Sequence, residues 1–434
     1  MTDNVHHFPQ IDAWLERVMR GNHGVILSNL ANAVTVLQWH HGIRDALLFD
    51  DFAKKAFLTH PINEPLNSYA EPVEITDKVV SEVQCWMQHL GMHSMSESNA
   101  GRALMTVAQD HSFHPVLDYL NGLQWDGVDR NKDWLTNYLG AVADNPKYLP
   151  MIGPLFLISM IARIFEPGCK VDYMLVFEHR QGRKKSMAVE TLFAPWFSDG
   201  MPDINANIKD ASLHLRGKWG LEISEMQAFS RAETTHLKDF LTRKTERYRP
   251  PYGKLEVEEP RQCVFIGTTN EDVYLKDATG ARRFWPVKCG RVLNDELVRD
   301  RDQILAQAVV DYHRGVRWWP DDDFEEDHIV PQQRARYDTD DAWADPIRAF
   351  LQGETEVTFS DVLDVLEYNA KKKTKVDGNG YEVPDPKYTP INRVSRADQN
   401  RIRAILLSES WERAGKLDVR GRSIWRPRPG KREP

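Results

Sequence analysis

Apolar residues recur at helical spacing through the first part of the chain, to about residue 125. In "DKVVSEVQCWMQHL", Val79, Val80, Val83, Trp86 and Leu90 fall at the intervals of one helix face. "SNAGRALMTVAQDH" and "HPVLDYLNGL" continue the pattern, the second opened by a proline at a helix start. Residues 1–125 are therefore expected to be a helical N-terminal region. From 126 to 320 short apolar runs ("YMLVF", "WGLEI", "CVFIG") alternate with helical stretches, as in an α/β core around a parallel sheet. The acidic stretch "WWPDDDFEEDHIVPQQRARYDTDDAWADP" follows, and residues 321–345 read as a solvated linker. Residues 346–434 pattern as three helices, the second and third capped by Ser360 and Ser395, and a hairpin running into a basic tail. These are the parts of a winged helix, a fold that often binds nucleic acid and in other proteins is purely structural.

Composition narrows the function classes. The chain has 434 residues, 41% hydrophobic and 28% charged, as expected of a globular protein with two or three domains. A net charge of −8 excludes a uniformly basic DNA-coating protein, so nucleic-acid contact needs a local patch. The tail from Trp411 to Pro434 supplies one, with eight Lys/Arg against three Asp/Glu. Cys85, Cys169, Cys263 and Cys289 lie far apart, which argues against a metal cluster or disulfide framework and fits a reducing cytoplasm. The pairs His6-His7 and His40-His41 lack a companion carboxylate or cysteine cluster and read as surface or core histidines. "MIGPLFLISMIARIF", about 15 residues with an arginine inside, is too short and too polar to span a membrane, and no signal peptide is evident.

The candidate chemistry centres on "MLVFEHRQGRKKSM", residues 174–187: a buried strand, a basic loop and a helix start. A phosphate-binding loop reads GxxxxGK[ST] between a strand and a helix, whose N-terminal N–H groups and dipole hold phosphates. Lys185 and Ser186 occupy the lysine and hydroxyl positions, but His179 and Lys184 stand where the motif has glycines. Gly182 remains as an internal glycine, and Arg180, Arg183 and Lys184 add phosphate-attracting charge. Downstream, "KWGLEISEM" ends in Glu222 and Glu225, acids of the kind that hold a Mg²⁺ shell or activate water. "CVFIGTTNEDVYL" ends in Asn270, an amide suited to orienting water, and "KDATGARRFWPV" carries Arg282 and Arg283, suited to reaching a neighbouring subunit's site. Each piece alone also fits solvated residues on a strand edge or loop, but the four in this order are far more specific. Between acid and amide, "YRPPYGKLEVEE" predicts a projecting hairpin with Arg249, Tyr252 and Lys254 at a basic, aromatic tip, suited to single-strand contact or a plain structural turn.

The motifs "WDGVDR", "PGCKVDYMLVFE", "LKDFLTRKTERYRPPYGK", "FIGTTNEDVYLKDATGARRFWPV" and "RDQILAQAV" together resemble the virulence-associated E family of phages and mobile genetic elements, related to superfamily 3 helicases. The resemblance implies an AAA+-like P-loop ATPase core that forms a ring, expected to be a hexamer, and acts on DNA in replication. It implies ATP and Mg²⁺ as cofactors. Gln181, Gly182, Lys184, Lys185 and Ser186 would form the nucleotide loop, and Ser186 and Glu225 the metal site. Glu222 or Glu225 would be the acid, Asn270 the sensor, Arg282 or Arg283 the finger, and Lys254 with its neighbours the channel hairpin. DNA, further copies of the chain, and a primase or other replication proteins are the implied partners; a membrane is not. Two functions stay open: an ATP-dependent helicase-like replication protein, and a catalytically silent DNA-binding or assembly protein with a degenerate loop. The first is favoured because acid, sensor and finger positions all keep suitable residues.

Overall fold

A computed structural model of the chain describes residues 13–62, 72–179, 184–201, 208–250, 255–275, 282–336, 343–366, 374–376, 382–384, 395–417 and 423–428. The three expected helices are present as Asp77–His89, Glu97–Asp110 and Pro115–Gly122, and the N-terminal unit has a further helix, Leu30–Trp39, that the sequence reading did not single out. It also has a sheet, a departure from the all-helical expectation: Leu47–Asp50 pairs antiparallel with Lys55–Leu58, flanked by Val73–Glu74 and Ser112–Phe113. The two central strands are four residues each, so their alternation is too short to stand out in a window tuned to helices. His40 is buried in this unit, its ring against Trp14 and Trp86, as a core histidine; His6 and His7 lie outside the described residues.

The central unit is a five-stranded sheet. Its strands are β1 (Met174–Glu178), β2 (Phe197–Ser198), β3 (Gly220–Ile223), β4 (Val264–Thr269) and β5 (Phe284–Lys288), all parallel in the order β5-β1-β4-β3-β2. Both faces are covered, which is why the strands read as continuous apolar runs. Leu175 and Phe177 of β1 join one core with helix α1 (Tyr148–Phe165), helix α2 (Lys185–Phe193) and helix α4 (Asn294–His313). Met174 and Val176, the alternate positions, join a second core with helix α3 (Arg231–Leu241). Close approach of α2 to β3 requires a glycine: a β-carbon on Gly220 would sit 2.1 Å from the Phe193 ring.

Helix α1 runs 18 residues, longer than the apolar stretch suggested, and by length and composition alone it would pass for a membrane span. Its surface is instead spent on the core, and its Arg163, 1% exposed, donates to the carbonyls of Val171 and Arg261.

The acidic stretch is only in part a linker. Asp322–Arg334 is helical, with a π turn over Glu325–Ile329. Phe324 and Ile329 enter the α1 core. The π turn spaces the apolar positions at five and six residues, which hides them from a 3.6-residue pattern. Arg336 then forms a two-pronged ion pair with Glu178 at the end of β1, 2.9 Å on each side, and the Tyr274 hydroxyl donates to the same carboxylate at 2.9 Å.

Residues 344–427 contain helices Ala344–Leu351, Phe359–Val365 and Arg396–Ser408 and a sheet of Val357–Thr358, Ser423–Pro427 and Trp411–Leu417. Ile347, Leu363, Leu406, Trp411 and Trp425 form the core between them. Ser395 caps its helix as expected, accepting from the Asp398 N–H. The cap of the second helix is Thr358 and not Ser360: the Asp361 carboxylate accepts from the Thr358 N–H at 2.7 Å, so the helix starts two residues earlier.

Glu178 is 1% exposed, so the Arg336 partner is what makes its charge tolerable. Arg336→Ala is expected to cost about 3–5 kcal/mol in urea unfolding. Replacing both partners, Glu178→Leu with Arg336→Met, is expected to cost much less.

Candidate phosphate-binding site

Helix α2 opens at Lys185, directly after the loop that follows β1, so its free N–H groups face the carboxyl edge of the sheet. Lys185 is 8% exposed, and its ammonium spends all three donors: on the His179 carbonyl (2.5 Å), the Thr269 carbonyl (2.7 Å) and the Asn270 side-chain oxygen (2.9 Å). Burial pushes its pKa below the usual lysine range. The neighbouring Cys289 thiol is pushed up to about 12, mainly by burial, and stays protonated.

Strand order explains why Asn270 is here. Strand β4, apolar up to its polar end, lies between β1, which leads into the loop, and β3, which carries Glu222 and leads to Glu225. Glu222 on β3 is 1% exposed, and its Oε1 accepts from the hydroxyls of Ser186 (2.7 Å) and Thr268 (2.6 Å). Its Oε2 is buried without a hydrogen-bond partner. Glu225 is exposed, three residues on, with a left-handed backbone (φ 53°). Lys184, Lys185, Ser186, Glu222, Glu225 and Asn270 all line one cleft of about 280 Å³. The residue in contact with Ser186 is thus Glu222, while Glu225 lines the open part of the cleft. The Thr268 contact had a visible signal, a hydroxyl at the end of an otherwise apolar strand, but its partner was not readable from one chain.

Other predicted site residues lie elsewhere. Gln181 and Gly182, with Tyr252 and Lys254, are outside the described residues. Arg249 is exposed at the end of the hairpin formed by Thr245–Tyr248 and Val257–Pro260. The hairpin stem is not basic: Arg247 pairs with Glu256 and Glu258, and Arg216 with Glu259. Arg282 and Arg283 precede β5, and the Arg283 carbonyl accepts from the Met174 N–H at 2.8 Å, so both sit at the start of β1. The loop is at the other end of that strand, about 16 Å away at 3.3 Å per residue. Arg282 reaches Glu325 at 3.7 Å instead.

The two glycine positions of the loop differ. Lys184 has φ 58° and ψ 28°, the left-handed region in which a β-carbon costs about 1–2 kcal/mol. His179 is absent from the positive-φ residues among those described. Only the second substitution carries backbone strain.

The virulence-associated protein E-like domain model matches residues 120–338, ending just beyond Arg336. No curated protein matches the chain. Among solved structures, the apo C-terminal region of NrS-1 is similar at 14% identity, with 88% of this chain and 95% of that chain covered and a TM-score of 0.44. An A-form apo structure of the same region is similar at 13% identity, with 92% and 99% covered and a TM-score of 0.45.

The strain at Lys184 is directly measurable. Lys184→Gly is expected to raise stability by about 1 kcal/mol in urea unfolding; Lys184→Val, β-branched at the same φ, is expected to lower it.

Proposed function

The chain belongs to the virulence-associated protein E-like family, and from that premise we propose that it is an ATP-dependent, helicase-like replication protein of a phage or mobile genetic element. The proposal includes an AAA+-type, superfamily 3-like core working as a ring, expected to be hexameric, on DNA in the cytoplasm, with a winged-helix-like C-terminal unit. The observation that carries it is Glu222: a buried acid joined to the hydroxyl that follows the loop lysine, one strand away from a polar strand end.

The residues fit a triphosphate with Mg²⁺. The Ser186 hydroxyl donates to one oxygen of the Glu222 carboxyl and the other, Oε2, has no hydrogen-bond partner, so Ser186 with Glu222 would hold the ion. Bound Mg²⁺ would neutralise phosphate charge. Lys185 would exchange its carbonyl partners for phosphate oxygens, a gain because a charge-assisted bond replaces bonds to neutral acceptors. Glu225, exposed in the cleft, would take the proton of the attacking water, and Asn270 would orient that water. Arg282 or Arg283 would serve a second copy's site, because each lies at the far edge of its own sheet. One observation favours the silent alternative: the left-handed Lys184 places a long side chain at a motif glycine, where backbone and phosphate must meet.

ATP binding and DNA-stimulated hydrolysis by the purified full chain separate the two. Lys185→Ala is expected to weaken ATP binding more than tenfold. Glu225→Gln is expected to keep binding and lose about 100-fold or more in hydrolysis. A wild type that binds no ATP overturns the ATPase reading and leaves the silent one. Replacing the operative arginine, Arg282 or Arg283, by Ala is expected to spare ATP binding and cut hydrolysis by about 1,000-fold.

A further inference from the structure

The C-terminal unit lies beyond the 120–338 span of the family match. Its elements run α5 (Ala344–Leu351), β6 (Val357–Thr358), α6 (Phe359–Val365), α7 (Arg396–Ser408), β7 (Trp411–Leu417) and β8 (Ser423–Pro427). Strand β8 is central: it pairs antiparallel with β7 on one side and with β6 on the other, where Val357 stands opposite Trp425. A separate pair, Thr374–Val376 with Glu382–Pro384, falls between α6 and α7 in the chain and joins neither neighbour's sheet. A helix, a strand, two helices and a hairpin that closes on the first strand make up the element order of a winged helix. In helix-turn-helix folds of this kind, the last helix is the one laid in the major groove.

The two faces of α7 differ. Ile402, Ile405 and Leu406 are buried in a core with Ile347, Trp411 and Trp425. Arg403 and Leu407, one turn apart, are exposed, Leu407 by 37%. By helical phase, positions 396 and 400 fall on the same stripe, and the sequence has arginine and asparagine there. The one acid of α7, Asp398, accepts from the Ser395 hydroxyl at 2.7 Å as part of the cap. Nearby carboxylates are matched by arginines of the same unit: Glu409 by Arg348, Glu356 by Arg426 and Glu412 by Arg428. Arg401 stacks on the Trp343 ring at 4.1 Å. Arg403 has no ion-pair partner among the described residues. Residues 395–434 hold eleven Lys/Arg against five Asp/Glu, in a chain whose net charge is −8.

We propose that α7 is the reading helix of a duplex-DNA site, with Arg403 and Leu407 turned to the base edges of the major groove. That groove, about 12 Å wide, admits a helix; arginine pairs with guanine O6 and N7, and an apolar side chain meets the thymine methyl. The cation surplus of residues 395–434 supplies the phosphate contacts that fix the register of the helix on the duplex. The site shares no residue with the cleft at Lys185. It therefore adds to the proposed ATPase a contact with duplex DNA that needs no nucleotide.

Fluorescence anisotropy of the full chain without nucleotide, against a mixed-sequence duplex of about three helical turns and against one of its single strands, tests it. The wild type is expected to bind the duplex, with an affinity that falls steeply as salt rises. Arg403→Ala is expected to weaken duplex binding about tenfold or more and to leave single-strand binding and the urea midpoint unchanged. Selection from random-sequence duplexes is expected to yield a preferred site, and Arg403→Ala to lose the preference for guanine at one position of it. Duplex binding that needs ATP, duplex binding that Arg403→Glu leaves unaltered, or a selection without a preferred site overturns the reading helix. A wild type that binds no duplex overturns it as well. A chain that binds duplex but no ATP overturns the nucleotide cleft and leaves this site standing.

Discussion

A carboxylate buried near the centre of a parallel sheet is costly unless hydrogen bonds compensate it, and the arrangement around Glu222 is the set that does so. Its two hydroxyl partners come from different elements: Ser186 from the first turn of α2 and Thr268 from the end of β4. Both contacts depend on register. Ile266 of β4 stands opposite Glu222 on one side and Leu175 on the other. A slip by one residue would turn Glu222 to the opposite face and put an apolar neighbour against Ser186. The same register sets Asn270 beside Lys185. The loop, the acid and the amide therefore form one constraint, and sheet pairing enforces it.

A second buried carboxylate anchors the root of the loop. Glu178, the last residue of β1, is held by Arg336 and Tyr274. The Arg336 carbonyl in turn accepts from the N–H groups of Tyr274 and Leu275. One arginine therefore joins the strand before the loop, the segment after Asn270, and the helical stretch 322–334. Charge-assisted bonds in a dry setting are strong only while complete, so the acidic stretch is part of the fold up to Arg336.

Much of the central unit was legible because a sheet covered on both faces leaves continuous apolar runs, as in "MLVF", "GLEI" and "VFIG". The loop between β1 and α2 was locatable from Lys185 and Ser186 despite the absence of glycine at 179 and 184. What stayed hidden depended on long-range pairing. Which of Glu222 and Glu225 meets Ser186 follows from strand order, and single-chain spacing carries no strand order. The strain at Lys184, absent at His179, follows from backbone angles that the residue names do not encode. The apolar residues of 322–334 were masked by a π turn, and the N-terminal strands by their shortness.

The position of Arg282 and Arg283 has the same origin and a larger consequence. Because β5 runs parallel to β1 with Phe284 opposite Met174, residues just before β5 lie at the amino edge of the sheet, and the loop lies at the carboxyl edge. An arginine side chain reaches about half the strand length that separates them. No rotamer of either arginine closes that gap within one chain. Any phosphate that Arg282 neutralises must then belong to another molecule, and within its own chain the side chain turns to Glu325. A cation placed at the far edge cannot reach its own chain's cleft, so the finger role proposed for it would need a neighbouring copy.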